Sequence, residues 1–264
     1  MERRRLDAEL VRRGLATSRS QAREAVNAGR VTVAGITATK AASLVAGDAP
    51  VALSGPPRPF VSRAGGKLAA ALDRFAVDPD GRDCLDAGAS TGGFTDCLLQ
   101  RGAARVIAVD VGYGQLAWSL RTDPRVTVMD RTNVRDLAST MLAYVPNLLV
   151  ADLSFISLRL VLPALAKVTA SGATFVVLVK PQFEAGRAQV GRGGVVRDPD
   201  VWRGALSGVM KTARSVSLEP LNVMASPLPG PAGTVEFPLH LVAGSPPAAF
   251  DLEAAVSEGE ALLR

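Results

Sequence analysis

The sequence is poor in the side chains on which many catalytic and metal sites depend. Of 264 residues, two are cysteine and one is histidine, His240. The chain therefore has too few ligands for a disulfide framework or an ordinary zinc site, and a histidine-dependent triad would have to use His240. No apolar run approaches the roughly 20 residues of a membrane-spanning helix. The first twenty residues contain Glu2, Asp7 and Glu9 and have no apolar core, so they do not resemble a secretory signal. We therefore expect a globular protein of the reducing cytoplasm, with no metal and no membrane contact.

The net charge is concentrated at one end of the chain. Residues 1–60 contain ten Lys and Arg against five Asp and Glu, and the rest of the chain is balanced. The whole excess of +5 therefore lies in this segment. Such a confined positive field predicts a module that binds a polyanion, most often nucleic acid. A well-solvated arginine-rich surface is the alternative that charge alone leaves open.

The same segment has the pattern of two short helices followed by a hairpin. Apolar residues at helical spacing end at Gly14, and Ser18 with Gln21 is typical of a capping box that opens a second helix. Alternation after Val31 and again at Val51–Leu53 predicts short strands.

Residues 3–53 resemble the S4 RNA-binding domain in this order of elements. The resemblance implies recognition of structured RNA by its shape and phosphates. Eight basic residues are the candidate RNA contacts: Arg4, Arg5, Arg12, Arg19, Arg23, Arg30, Lys40 and Arg63.

The rest of the chain is typical of a larger α/β domain. We predict a first domain at 1–54, a short proline-rich linker at 55–61 and a second domain at 62–264. Strand-like runs alternate with helical stretches, which predicts a mostly parallel, doubly wound sheet that binds ligands beyond its carboxyl ends. The predicted strands are Asp83–Ala87, Val106–Val109, Val126–Met129, Leu148–Ala151 and Phe175–Val179.

A glycine-rich turn follows the first of these strands. Its spacing, Gly88-x-Ser90-x-Gly92, departs from the G-x-G-x-x-G of dinucleotide sites and is similar to motif I of the S-adenosylmethionine methyltransferases. Taken alone, the loop leaves a nicotinamide enzyme or a structural turn open. Asp110 ends the second strand, where it could accept hydrogen bonds from ribose hydroxyls. The candidate cofactor-binding residues are Asp86, Gly88, Ser90, Gly92, Gly93, Phe94, Asp110, Asp130 and Phe155.

Two of these candidates have an ordinary alternative. Asp130, at the end of the third strand, could accept from an adenine amino group or cap the next helix. Phe155, after the fourth strand, could pack against the cofactor or in the core.

Four charged residues accompany the predicted strand ends. Asp152 and Lys180 end the fourth and fifth strands, Lys67 precedes the first, and Glu236 lies near the end of the chain. Their order resembles the K-D-K-E tetrad of the FtsJ-like ribose 2′-O-methyltransferases. With an S4 domain in front, the whole chain resembles the TlyA family of ribosomal-RNA methyltransferases, also called hemolysins. In this family a bulkier residue usually stands at Gly65 or Gly66, so a less rigid loop before Lys67 is expected.

The resemblance implies methyl transfer from S-adenosylmethionine to cytidine 2′-hydroxyls of small- and large-subunit ribosomal RNA. Ribosomal subunits would be the partners, with no obligate protein partner, and susceptibility to capreomycin-type antibiotics would be affected. Three other functions compete: a pore-forming hemolysin, a non-catalytic RNA-binding protein and a pseudouridine synthase. The pseudouridine synthase would need an Arg-Leu-Asp motif in its main domain, and here that motif is Arg5-Leu6-Asp7.

The scarcity of lysine supports the tetrad independently. The chain has five Lys against 25 Arg, and arginine stays protonated whereas lysine can act as a base. We predict that Lys180 accepts the 2′-hydroxyl proton while Lys67 orients the ribose and, by like-charge repulsion, keeps Lys180 partly neutral. Asp152 and Glu236 would position the amines and the cofactor.

Overall fold

The protein is described here by a computed structural model, which covers residues 3–16, 18–55, 59–230 and 233–263. The chain divides into two compact units, Met1–Ser62 and Arg63–Arg264. This division falls at the end of the predicted linker, of which 56–58 lie outside the described residues. Within the described ranges, no helix combines the length and the hydropathy needed to cross a bilayer.

The first unit packs two helices against short strands. Its helices are α1 (Leu6–Arg12) and α2 (Arg19–Asn27), and its strands are β1 (Arg3–Arg5), β2 (Val31–Val33), β3 (Ile36–Thr37), β4 (Leu44–Ala46) and β5 (Val51–Leu53). The predicted capping box is confirmed, since the Ser18 side chain accepts a hydrogen bond from the Gln21 N–H. The strands form antiparallel sheets in the orders β1-β4 and β3-β2-β5. Sequence patterns did not reveal β1 or β4: β1 is the exposed, charged run Arg3–Arg5, and the two strands are defined by pairing with each other.

The second unit is the predicted α/β domain. Its strands are β6 (Asp83–Ala87), β7 (Arg105–Val109), β8 (Val126–Met129), β9 (Leu148–Ala151), β10 (Thr174–Val179), β11 (Leu218–Val223) and β12 (Phe237–Ala243). Its helices are α3 (Ala64–Phe75), α4 (Gly93–Gln100), α5 (Trp118–Arg121), α6 (Leu158–Lys167), α7 (Pro181–Glu184), α8 (Pro199–Ser215) and α9 (Leu252–Ala261). The sheet has the order β11-β12-β10-β9-β6-β7-β8. The five strands β10, β9, β6, β7 and β8 are parallel to one another, and β12 pairs antiparallel with both β10 and β11. The five predicted strands and the mostly parallel architecture are confirmed.

Burial explains why the central strands were visible in the sequence. Every residue of β9 and β10 is buried, as expected for parallel strands that helices cover on both faces. The largest fully buried side chains include Trp202, Phe175 and Phe237. The ring centroids of Trp202 and Phe237 lie 5.5 Å apart, so Trp202 packs α8 against the sheet.

Strand register brings the sequence motifs to one edge of this sheet. Ala151 of β9 pairs with Ala87 of β6 and with Val177 of β10. Val179, which ends β10, pairs with Phe237, which begins the antiparallel β12. The residues that follow β6, β9 and β10 and the residue that precedes β12 therefore lie along the same edge.

Candidate functional site

Lys67 and Glu236 form a buried ion pair. Lys67 lies in the first turn of α3 and Glu236 directly precedes β12, with Nζ 2.5 Å from Oε2 and both side chains buried. The prediction of a loop before Lys67 is wrong, since Gly65 and Gly66 belong to helix α3. A Cβ at Gly66 would lie 2.8 Å from Leu228 Cδ1. The missing side chain therefore allows close packing rather than flexibility.

Lys180 forms a second lysine–carboxylate pair on the same edge. Its Nζ lies 2.6 Å from Asp152 Oδ1 and donates a 3.0 Å hydrogen bond to Ser154 Oγ. Pro181 follows it as the first residue of α7, and Lys180 has the extended backbone that a following proline favours. The structure thus gives each lysine its own carboxylate. Lys180 also has a hydroxyl partner, Ser154, which sequence reasoning missed because an isolated serine after a strand carries no distinct pattern.

Glu184 is a second residue that sequence reasoning missed. Its buried carboxylate accepts hydrogen bonds from Ser157 Oγ at 2.5 Å and from the Leu158 N–H at 2.6 Å. Arg159 completes the connection by donating to the Glu184 carbonyl at 2.9 Å. These bonds hold the loop after β9 to the short helix after β10. The loops that carry Asp152 and Lys180 are therefore fixed to each other.

The glycine-rich turn after β6 requires small residues at two points. Gly88 has φ +89° and Gly92 has φ +97°, and Ser90 between them also has a positive φ of +49°. A Cβ at Gly88 would lie 2.8 Å from the Asp152 carbonyl oxygen, and a Cβ at Gly92 would lie 2.3 Å from Leu120 Cδ1. Glycine therefore serves both conformation and close approach at these positions. Gly93 begins α4, and the next residue, Phe94, is buried.

Two carboxylates flank this turn in different environments. Asp86 is fully buried; Thr95 Oγ1 donates to its Oδ2 at 2.7 Å, and Oδ1 accepts no hydrogen bond from any described residue. Burial raises the pKa of Asp86 to about 7, although the Thr95 hydrogen bond opposes the shift. Asp110 accepts from the Ser90 N–H at 2.8 Å and from the Gly112 N–H at 2.7 Å. It thereby joins the turn after β6 to the loop after β7.

The two remaining cofactor candidates lie farther along the edge. Asp130 pairs with the Arg121 guanidinium, whose hydrogen bond lowers the pKa of that carboxyl, and accepts from the Gly114 N–H. The capping alternative for Asp130 is wrong, because Asn133 caps the helical turn that follows. The core alternative for Phe155 is also wrong. Its side chain is 91% exposed at φ +64°, with its ring 5.3 Å from that of Phe183.

The predicted RNA contacts are distributed over both units. Arg30 is half-buried and donates from Nε to the Ser54 carbonyl at 2.8 Å. Arg63 lies in the second unit at the N-terminus of α3, and the other candidates belong to the first unit. Exposed members of the predicted set are Arg4, Arg5, Arg12, Arg19, Arg23, Lys40 and Arg63.

Comparison with known proteins identifies both parts of the chain. Residues 60–242 match the FtsJ-like methyltransferase family and residues 4–51 match the S4 domain. The 16S/23S rRNA (cytidine-2′-O)-methyltransferase TlyA of Mycobacterium tuberculosis is 54% identical, over 90% of this chain and 89% of that protein. Hemolysin A of Brachyspira hyodysenteriae is 36% identical, over 90% of this chain and 99% of that protein.

A solved structure matches the chain over its whole length. The "Putative hemolysin from Streptococcus thermophilus" is 37% identical, with a TM-score of 0.79 over 100% of this chain and 98% of that one. The likeness covers both compact units. The chain therefore belongs to the FtsJ-like methyltransferases, in the S4-containing TlyA family.

Proposed function

We propose that this protein transfers a methyl group from S-adenosylmethionine to the 2′-hydroxyl of cytidines in ribosomal RNA. The observation that carries the proposal is the pair of lysine–carboxylate contacts, Lys67 with Glu236 and Lys180 with Asp152, at one sheet edge. The relative from Mycobacterium tuberculosis, named for this reaction on 16S and 23S rRNA, supports the choice of substrate. Ribosomal subunits are the proposed partners and the cytoplasm the proposed location.

The turn after β6 fits S-adenosylmethionine. Gly88 and Gly92 let this turn keep its positive φ while it packs within 3 Å of Asp152 and Leu120. Each carboxylate oxygen of Asp110 accepts one backbone N–H, from Ser90 or from Gly112. Each oxygen can accept a further hydrogen bond from a ribose hydroxyl. Gly88, Ser90, Gly92, Gly93, Phe94, Asp86, Asp110 and Asp130 are the proposed cofactor-binding set. When bound, the cofactor supplies a methyl group already activated on a sulfonium.

The protein's own residues then align the ribose and move one proton. Asp152 and Ser154 hold the Lys180 amine at the end of β10. In its neutral form this amine accepts the 2′-hydroxyl proton, as a general base. The Lys67 charge is compensated by Glu236 at 2.5 Å, so we assign Lys67 to orienting the ribose rather than to repelling the proton of Lys180. Alignment contributes much of the rate, because the methyl group needs no further activation.

Phe155 provides an apolar surface beside this amine. Its ring contacts Phe183, whose own ring centroid lies 5.9 Å from Lys180 Nζ. A 91% exposed phenylalanine with positive φ carries a cost in solvation and backbone strain. Stacking of a planar group of the bound cofactor or nucleoside on Phe155 would offset that cost.

Mapping the modified nucleotides tests the proposal directly. Unmodified ribosomal subunits are incubated with the protein and S-adenosylmethionine, and 2′-O-methyl groups are located by their protection from alkaline hydrolysis. We expect new protected positions at cytidines. The absence of protection in both subunits would overturn the proposed reaction, and protection at other nucleotides would overturn the substrate.

A charge-preserving substitution tests the role of Lys180. Lys180→Arg keeps the cation but has no accessible neutral form. Single-turnover methyl transfer should fall by roughly 100- to 10,000-fold, the scale of general-base loss, with cofactor binding retained. Lys211→Arg, on the exposed surface of α8, is the matched control and should transfer methyl normally. A near-normal rate in Lys180→Arg would reduce this lysine to an electrostatic role.

A further inference from the structure

In the first unit, one buried carboxylate contacts three arginines. Asp7 lies in the first turn of α1 and has no exposed surface. Arg5 donates to it from Nε and Nη2 at 3.1 and 3.0 Å, and Arg19 donates from Nη2 at 3.1 Å. Arg23 Nε lies 3.8 Å from the same carboxylate. The three cations come from different places in the chain and meet at a single acid.

The three arginines contact the buried Asp7 carboxylate, and their side chains remain exposed to solvent. Arg5 ends β1, while Arg19 begins α2 and Arg23 follows it by one helical turn. Their side chains are 45%, 52% and 59% exposed, against 0% for Asp7. The acid therefore lies behind an outward-facing group of guanidinium ions. We call Arg5, Arg19 and Arg23 the arginine triad.

The triad keeps a positive surplus. Hydrogen bonding from Arg5 lowers the pKa of Asp7 to about 2, so the carboxylate is ionised at neutral pH. Three cations against one anion leave two positive charges on this surface. Guanidinium groups match phosphate geometry, and their affinity rises when their orientation is fixed before binding, because less side-chain entropy is lost.

The second buried acid of α1 has a different role. Glu9 pairs with Arg12 and Arg13, but Arg13 also donates to the carbonyls of Gly47 and Ala49. This arrangement connects α1 to the turn after β4 and so stabilises the fold. The Asp7 carboxylate, in contrast, accepts from the Ala8 N–H of its own helix at 2.9 Å, and its other side-chain contacts are to the three exposed arginines.

We propose that Asp7 is a positioning residue that presents the arginine triad as one preorganised phosphate-binding surface. The inference rests on the proposed rRNA substrate and on RNA binding by the first unit, which matches the S4 domain. The proposal predicts the opposite change in RNA affinity from the one that net charge alone predicts. Removing a negative charge from a surface that binds RNA should strengthen binding, whereas loss of the positioning carboxylate should weaken it.

Two charge-matched variants of the full chain separate these expectations. Asp7→Asn and Asp48→Asn each remove one negative charge, and Asp48 is exposed in the turn between β4 and β5. Binding to unmodified ribosomal subunits is measured across about 50 to 200 mM salt. Asp7→Asn should bind the subunits roughly three- to tenfold more weakly. Its plot of log binding constant against log salt concentration should be less steep, by about the slope that one phosphate contact contributes. Asp48→Asn should bind as well as the wild type or more tightly.

Steady-state methylation distinguishes positioning from general damage. Asp7→Asn should raise the KM for subunits and leave kcat and the Kd for S-adenosylmethionine unchanged. If Asp7→Asn does not fold, Arg19→Lys keeps the net charge, alters an exposed side chain and should still weaken subunit binding. Binding by Asp7→Asn as tight as that of the wild type, or unchanged binding by Arg19→Lys, would overturn the positioning role alone. A wild-type protein without salt-dependent subunit binding would overturn the proposed function as well.

Discussion

The buried pair of Lys67 and Glu236 should make the second unit more sensitive to losing one charge than to losing both. Its atoms are 2.5 Å apart and both side chains are buried. A Cβ at Gly230 would lie 2.3 Å from Glu236 Oε1, so the Gly230 backbone packs closely against the carboxylate. Lys67→Met would leave that carboxylate buried and unpaired, at a cost of about 3–5 kcal/mol. In Lys67→Met/Glu236→Gln no charge remains, and we expect the destabilisation to fall to about 1–2 kcal/mol.

Unfolding in urea, followed by tryptophan fluorescence, provides the measurement. Both tryptophans of the chain, Trp118 and Trp202, belong to the second unit, and Trp202 is fully buried. Their signal therefore reports on the unit that holds the pair, even if the first unit unfolds separately. The unfolding midpoint of Lys67→Met should be the lowest, and that of the double variant should lie between it and the wild type.

An exposed ion pair serves as the control. Arg74 contacts Glu258 through a single 3.0 Å hydrogen bond, with both side chains exposed, and Arg74→Met should leave the midpoint nearly unchanged because exposed pairs contribute little. Strictly additive losses, with the double variant less stable than Lys67→Met, would refute the reasoning. They would mean that the two charges do not compensate each other.

Three further outcomes follow from the site. Burial raises the pKa of Asp86 to about 7, so the folded protein holds a proton that the unfolded chain releases above about pH 4, and stability should fall as pH rises toward 7. Asp86→Asn should remove that slope in thermal unfolding between about pH 4 and 7, and an unchanged slope would assign it to another group. Burial also raises the pKa of Cys84 and Cys97 to about 12, so a thiol reagent should label neither cysteine until denaturant is added; rapid labelling of the native protein would contradict their burial. Asp110→Ala should raise the Kd for S-adenosylmethionine by about ten- to a hundredfold in calorimetry, and an unaltered Kd would place the ribose contact elsewhere.

Local sequence determined most of the secondary structure of the second unit. Strands β6, β7, β9 and β10 are short runs between turns, and they are visible because both faces of a central parallel strand are buried. The glycine-rich turn was equally visible, since only glycine combines positive φ with close approach at Gly88 and Gly92. Strands β11 and β12 were not predicted. Their antiparallel pairing at the edge of the sheet depends on which partner lies beside them.

Only the tertiary structure decided which charges meet. The sequence order of the tetrad identified Lys67 and Glu236 as candidates, but they are 169 residues apart, and nothing local pairs them with each other. The same holds for Lys180 with Ser154 and for Asp7 with Arg19. A carboxylate or hydroxyl can accept from any nearby cation, whereas a helix cap or a tight turn uses only its neighbours in the chain. Partners are therefore set by where the folded backbone places the side chains, and burial then fixes how strongly each charge depends on its partner.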